Sequence, residues 1–260
     1  MTDHISQTEL KNDYTILAQI YDAVMADVDY EAWSDFIDEI IMHHHYEATE
    51  LLELACGTGT MAIKLEELGY YNITATDASE AMIDVARRKA QQAESSVVFH
   101  PMNMLELQTD RTFDIVYMVF DSLNYLHTEE EILKLHANVR NCLNDGGLFI
   151  YDFTTPDNSK RAVRYLNNEK KKVDSRYRYE RRSHYNHDRR THTNVFHISL
   201  LDNNGTVSEV LQEKHQQRIY TFDEVRNIIQ KTEFEIVEAY NNFDFKVATN
   251  KSLRITMVLQ

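Results

Sequence analysis

The sequence predicts an α/β fold, a doubly wound parallel sheet carrying an antiparallel β insertion, and three observations predict it. Short apolar runs alternate with helical patterns from Ala48 to Phe153, which is the pattern of βαβ units around a parallel sheet. The first of these runs breaks into a glycine turn, LLELACGTGTMA from Leu51 to Ala62, where backbone amides come close to a ligand. After Pro156 the pattern changes to longer runs with polar residues alternating through them.

Two amphipathic helices open the chain. One covers Tyr14 to Met25, where Ile16, Leu17, Ile20, Tyr21 and Val24 recur near helical spacing, and the other covers Tyr30 to His43. They make an N-terminal helical cap over residues 1–46. The alternation then reads as strand Ala48–Leu54, helix Met61–Leu68, strand Asn72–Thr76, helix Glu80–Gln91 and strand Val97–His100. Strand Phe113–Val119, helix Glu129–Leu143 and strand Gly147–Phe153 complete it. Crossovers between parallel strands are right-handed, and ligands sit at the carboxyl ends of the strands, where the glycine turn lies. Tyr177–Tyr185, Asn194–Leu201 and Ser208–Tyr220 read as strands, and Asn203-Asn204-Gly205 between the last two is a turn signal. A helix from Phe222 to Lys231 and strands Glu233–Tyr240 and Leu253–Leu259 resume the first pattern. The expected organisation is therefore one domain from residues 1–156 with 221–260, and an inserted β lid from 157–220 on the substrate side.

With 260 residues, 43% of them hydrophobic, and with 6 Gly and 2 Pro, the chain suits regular elements joined by short polar loops. No apolar run approaches the roughly 20 residues of a membrane span, and the N-terminal MTDHISQTELKND lacks the basic and then apolar pattern of an export signal. A cytoplasmic protein, monomeric or homodimeric, is expected. The two cysteines, Cys56 and Cys142, supply neither a disulfide framework nor a structural zinc site, so reduced thiols are expected. The formal charge of −15 argues against binding nucleic acid through its phosphates. That charge is uneven: Ser159–Arg190 holds 12 Lys or Arg against 4 Asp or Glu, a local +8, which leaves 15 against 38 elsewhere, or −23.

Gly57, Gly59 and Ala62 satisfy G-x-G-x-x-G/A, and Asp77 follows at the end of the second strand, near the offset for a carboxylate on a ribose diol. Taken alone, that pattern fits a nicotinamide or flavin cofactor. Glu53 discriminates, because an acid on the last turn of the first strand repels a pyrophosphate and welcomes a cation. S-adenosylmethionine offers a ribose diol, an adenine and, in place of pyrophosphate, an ammonium and a sulfonium.

These residues resemble the class I S-adenosylmethionine-dependent methyltransferases. Glu53-Leu54-Ala55-Cys56-Gly57-Thr58-Gly59 is similar to the family's first motif, with Ala55 in the first glycine place. Thr76-Asp77-Ala78-Ser79 with Met82 looks like the second, and Met102-Asn103-Met104 like the third, where Asn103 stands for the usual Asp. Phe113-Asp114-Ile115-Val116 with Phe120-Asp121-Ser122-Leu123-Asn124-Tyr125-Leu126 looks like the fourth, and Gly146-Gly147-Leu148-Phe149-Ile150 like the fifth. The resemblance is closest to a bacterial small-molecule-type subgroup with an N-terminal Tyr-x-x-x-Ala-x-x-Tyr-Asp helix, here Tyr14 to Asp22, and a lid carrying His-x-Gln-Arg-x-Tyr, here His215 to Tyr220. It implies a Rossmann-like seven-stranded sheet whose last strand is antiparallel, with the lid above the methyl group. It also implies cofactor contacts from Tyr14, Tyr21, Glu53, Ala55, Cys56, Gly57, Gly59, Asp77, Ala78, Met82, Asn103, Met104 and Phe120.

The expected reaction moves a methyl group to a nitrogen or oxygen of a small molecule, with no metal and no membrane partner. A neutral amine needs only a shaped, dry cleft, whereas a hydroxyl or ammonium needs a base. His215, Asp121 and Tyr125 are the candidates for that base, and Arg218 and Tyr220 for substrate contact. An RNA methyltransferase and an NAD(P)-dependent oxidoreductase are the competing readings. Arg176, Arg178 and Arg182 form either a solvated basic face or a rim that draws in an anionic substrate. Consecutive histidines at His43, His44 and His45 point in different directions and read as a solvated helix end rather than a metal site.

Overall fold

The computed structural model describes residues 10, 11 and 14–260. The expectation of no export signal in the first thirteen residues therefore lies largely outside the described residues. A two-residue strand, β1 (Leu10–Lys11), and helices α1 (Leu17–Val24) and α2 (Tyr30–His44) come first. The alternating part runs β2 (Glu50–Leu54), α3 (Thr60–Glu66), β3 (Asn72–Asp77), α4 (Glu80–Ala93), β4 (Val98–Pro101), β5 (Phe113–Met118), α5 (Glu129–Arg140) and β6 (Leu143–Thr154). Helix α6 (Pro156–Leu166) leads into β7 (Glu169–Lys172), β8 (Tyr177–Asn186), β9 (Thr191–Leu201) and β10 (Val207–Arg218). Helix α7 (Phe222–Ile229), β11 (Ile236–Asn241), β12 (Asp244–Val247) and β13 (Arg254–Leu259) close the chain.

The main sheet has the order β12-β11-β13-β6-β5-β2-β3-β4. Strands β2 to β6 pair in parallel, and β13 lies antiparallel between β6 and β11. The seven expected strands are present, and β12 adds an eighth at the edge by folding back on β11. Side chains alternate across the sheet. Leu51, Ile73, Ile115, Tyr117 and Ile150 pack under Ile37, Ile40, Met61 and Ile83 on one face. Leu52, Val116, Phe149, Tyr151 and Met257 pack under Ile132, Leu135, Val225 and Ile228 on the other. Helix starts follow local chemistry: Ser79 accepts from the Met82 amide, and Thr128 with Glu131 and Thr221 with Glu224 form capping boxes.

The second sheet has the order β1-β10-β9-β8-β7, antiparallel except for β1 beside β10. Its inner face, through Tyr179, Phe196 and Ile198, packs on Leu17 and Ile20 of α1. Helix α1 has no side-chain cap of its own, and the buried carboxylate of Glu213 on β10 accepts from the Ile16 and Leu17 amides at 2.6 and 3.0 Å. The helix thus takes its N-terminal cap from the second sheet.

Two elements differ from the sequence reading, and the structure decides between the two readings of the lid arginines. Helix α6, which Thr155 and Pro156 announce, lies inside the expected insertion, and β7 forms from Glu169 and three lysines. The pleat that buries Tyr179 against α1 turns Arg178 and Arg182 to the outer face, where they line a shallow basin with Lys170 and Lys172. Arg176 is exposed beside Asp174. The three arginines therefore stand away from the cleft, and they form no rim for substrate capture.

Gly59 caps α3 at φ +75°, and a Cβ there would lie 2.6 Å from the Phe99 ring and 2.9 Å from Ala86 Cβ. Gly59→Ala is expected to lower stability by about 2–4 kcal/mol, from left-handed strain plus overpacking. A urea unfolding midpoint equal to that of the parent chain would contradict this packing account.

Candidate active site

The loop after β2 is held by its neighbours on β3. The Cys56 amide donates to the Thr76 carbonyl at 2.9 Å, the Gly57 amide to Asp77 Oδ2 at 2.9 Å, and the Ser79 amide to Asp77 Oδ1 at 2.8 Å. Gly57 takes φ +55° and Ala55 φ +53°, so the alanine that replaces the family's glycine holds the conformation a glycine favours. Above this loop lies a cavity of about 350 Å³. Tyr14, Tyr21, Glu53, Ala55, Cys56, Gly57, Asp77, Ala78, Met82, Asn103, Met104 and Phe120 line it. Gly59 does not, because it packs on Phe99 beneath the loop. Sequence reasoning missed Tyr30, Met61, Met102, Val119 and Ser122 on the same wall. Met102 stood in the third motif, Ser122 in the fourth and Met61 in the glycine-turn stretch, whereas Tyr30 and Val119 carry no local signal.

Two buried acids give this cavity its electrostatics. Burial pushes the Glu53 carboxyl up to about 8, and the hydrogen bonds from Tyr117 Oη, at 3.1 Å, and from the Ala62 amide only partly offset that. Burial also raises Asp77 above the ordinary carboxylate range against its two amide donors. Asn103 lines the cavity, but its side-chain oxygen already accepts from the Leu105 amide at 2.9 Å.

A second cavity of about 590 Å³ lies beside the first, against the inner face of the second sheet. The two share Tyr14, Tyr21, Phe120 and Tyr125. Tyr14 and Tyr125 join hydroxyl to hydroxyl, and the His215 ring lies 4.0 Å from the Tyr14 ring. Tyr14, Phe120 and Asp121 all hold positive φ at this seam, at 50°, 62° and 66°. Strained backbone of this kind persists only where its surroundings over-determine it.

All three candidate bases, His215, Tyr125 and Asp121, line the second cavity, with the Tyr125 hydroxyl bonded to Tyr14 and Asp121 held by charge. The Asp121 carboxylate lies 2.8 and 3.1 Å from Arg254, which also pairs with Asp152, so it is committed to a buried ion cluster. Arg218 and Tyr220 lie off both cavities. Strand parity puts His215 and Gln217 inward, whereas Arg218 reaches the Arg189 carbonyl at 3.0 Å and approaches Glu224. The Tyr220 hydroxyl donates to the Leu126 carbonyl at 2.6 Å, and Asn124 Nδ2 to the Arg218 carbonyl at 2.8 Å. These two residues fasten the lid exit to the loop after β5. His44 Nε2 bonds the Tyr240 hydroxyl at 2.9 Å, so it ties α2 to β11.

Comparison with known proteins agrees with this geometry. Residues 51–147 match the model of a methyltransferase domain family. A putative methyltransferase of Geobacillus sp. (strain WCH70) is 33% identical over 140 residues, an alignment spanning 54% of this chain and 56% of that protein. The putative methyltransferase YqeM of Bacillus subtilis (strain 168) is 28% identical over 225 residues, 86% of this chain and 87% of the relative. The crystal structure of an S-adenosylmethionine-dependent methyltransferase from Clostridium acetobutylicum ATCC 824 superposes with a TM-score of 0.77 at 25% identity, covering 95% of this chain and 98% of that one. Among the described residues no helix is long and apolar enough to cross a membrane. Five motifs in order, a sheet with its antiparallel strand in the expected place and these likenesses converge: residues 51–147 are a methyltransferase domain, and the chain has the fold of the class I S-adenosylmethionine-dependent methyltransferases.

Proposed function

We propose that this chain methylates a nitrogen or oxygen of a small molecule held in the second cavity, with S-adenosylmethionine in the first. The observation that carries this reading is the wall of Tyr14, Tyr21, Phe120 and Tyr125 common to the two cavities, which sets two ligands side by side. The first cavity fits a cationic nucleoside. Two desolvated carboxylates stand in it, and a positive ligand relieves the cost of ionising both. When bound, S-adenosylmethionine supplies an electrophilic methyl group.

In this reading Asp77, oriented by the Gly57 and Ser79 amides, accepts from the ribose hydroxyls. Glu53 faces the methionyl ammonium, and Met82, Met102 and Met104 give the adenine an apolar slot. A substrate lone pair presented across the shared wall would take that methyl group, the sulfur keeping the electrons of its bond to carbon. A proton leaves the nucleophile, and His215, its ring tilted against that of Tyr14, is the group placed to take it. The Tyr14–Tyr125 contact fixes the aperture between the cavities, and enclosure under the lid keeps the reacting pair out of bulk water. No observation favours the RNA-modifying or nicotinamide-dependent readings.

Three outcomes follow. Asp77→Ala is expected to weaken S-adenosylhomocysteine by about 1.5–3 kcal/mol, the range for hydrogen bonds to a charged group, and calorimetry showing unchanged affinity would sink the ribose assignment. Glu53, raised to about 8, holds its proton at pH 7 in the free protein, and a cation beside it lowers that value. Binding of S-adenosylmethionine at pH 7 is therefore expected to release roughly one proton, and affinity to rise with pH through about 8. Titration calorimetry in buffers of different ionisation enthalpy reads that proton, and a heat independent of buffer, or equal to that of Glu53→Gln, contradicts it. His215→Asn is expected to lower kcat about 10²–10⁴-fold on a hydroxyl or ammonium substrate while cofactor affinity stays put. An unaltered kcat would remove His215 from the chemistry.

A further inference from the structure

Among the described residues, nine buried side-chain polar atoms have no hydrogen-bond partner. Five of the nine, Asp121 Oδ1, Ser159 Oγ, Arg181 Nε, Asn194 Oδ1 and His215 Nε2, belong to residues that line the second cavity. Two of these have a charged neighbour without a hydrogen bond: Asp121 Oδ1 lies 2.8 Å from Arg254, and His215 Nε2 lies 3.4 Å from Glu213. Ser159 and His215 are more than nine-tenths buried. A buried polar group without a partner costs about 1–3 kcal/mol, and native proteins hold few of them. Their residues gather on one cavity and concentrate unmet hydrogen-bonding capacity around it.

The charges on the same wall limit what that occupant is. Its only two guanidinium groups among the described lining residues, Arg181 and Arg254, are already paired, the first with Glu169 and the second with Asp121 and Asp152. Asp27 and Asp29 add two more acids to the wall. His192 is held neutral at pH 7, because burial lowers it to about 4, and its Nε2 meets the Ser183 hydroxyl at 2.8 Å. Among the described residues no unpaired Lys or Arg faces the space, so a phosphate or carboxylate would enter it without a guanidinium or ammonium partner. Between the polar atoms stand the flat apolar faces of Trp33, Phe120 and Phe196 with Leu17. Hydrogen-bonding edges set between apolar faces match a ring compound whose hydroxyls project outward and whose C–H surface is apolar. The volume of about 590 Å³ is that of a site for one small molecule.

Resting on the methyltransferase reading above, we propose that the second cavity selects a phosphate-free, polyhydroxylated ring compound. Ser159, Arg181 and Asn194 read its hydroxyls, and its amine or hydroxyl nucleophile faces the wall of Tyr14, Tyr125 and His215. Asn194 and Ser159 are then specificity residues that touch substrate and leave the cofactor alone.

The test uses the full chain saturated with S-adenosylhomocysteine, whose binding is measured first by calorimetry. Saturation-transfer NMR then reads four probes, D-glucosamine, D-galactosamine, D-glucosamine 6-phosphate and cyclohexylamine. At least one aminohexose is expected to bind, at least tenfold more tightly than cyclohexylamine, and the 6-phosphate is expected to lose about tenfold or more. Asn194→Leu and Ser159→Val are each expected to weaken the aminohexose about tenfold, the effect of leaving a polar group of the ligand unpaired, with S-adenosylhomocysteine affinity unchanged as the control for folding. Cyclohexylamine matching the aminohexoses, the 6-phosphate binding more tightly, both variants binding like the parent, or no aminohexose binding to the loaded protein would each overturn the proposal. Failure of S-adenosylhomocysteine itself to bind would overturn the methyltransferase reading on which it rests.

Discussion

The carboxylate of Asp77 is the joint on which the site depends. It accepts the amides of Gly57 and Ser79, and so locks the turn after β2 and the start of α4 to the end of β3. The arrangement costs something, because a carboxylate held in a buried position resists ionisation, and Glu53 a strand away adds a second acid to the same space. An apolar pair at these positions would fold with less penalty. The sheet therefore carries an electrostatic debt that a cationic nucleoside removes, which links the choice of ligand to the chemistry of two strand ends rather than to the glycine loop alone.

A second dependence runs through α1. This helix is pressed between the lid and the body: Leu17 and Ile20 face the lid, while Asp22 accepts from Thr58 at 2.6 Å and pairs with Lys89 of α4 at 2.8 Å. Its first turn rests on Glu213, two residues before His215 on the same face of β10. The strand that presents a candidate base thus also fixes the helix that presents Tyr14 and Tyr21. Displacing one displaces the other, so the aperture between the cavities and the group beside it keep a common geometry.

The alternating elements, the glycine turn and the acids Glu53 and Asp77 were legible because each follows a local rule of period, turn or strand end. What the sequence hid needed long-range information. G-x-G-x-x-A does not distinguish a glycine that faces a ligand from one that packs on Phe99, so Gly59 was placed with its neighbours. The lid motif left strand parity open, and a one-residue choice separates His215 and Gln217 from Arg218 and Tyr220. Asp121 read as a free acid because Arg254 is far away in sequence, although the two lie within 2.8 Å. Helix α6 escaped notice because its buried stripe, Ser159 and Ala162, is made of small residues that give no apolar rhythm. Strand β12 is four residues long and mostly exposed, too short for a period to register.

The pairing of Leu10 with Gln212 and of Lys11 with Glu213 has a kinetic consequence. It closes a loop on the order of 200 residues, whereas the β8–β9 and β9–β10 ladders close through short turns. Contacts of such high sequence separation form after local ones, so the antiparallel ladders and the parallel sheet assemble before the N-terminal strap is seated. Among the described residues the strap has two ladder positions, few against the ladders it joins, and the lowest-energy opening of the fold is expected to start there. Amide exchange should therefore be fastest along the exposed edge of β10 and slowest in β5 and β6. The second sheet is thus completed last, and opens first, at this two-residue pairing.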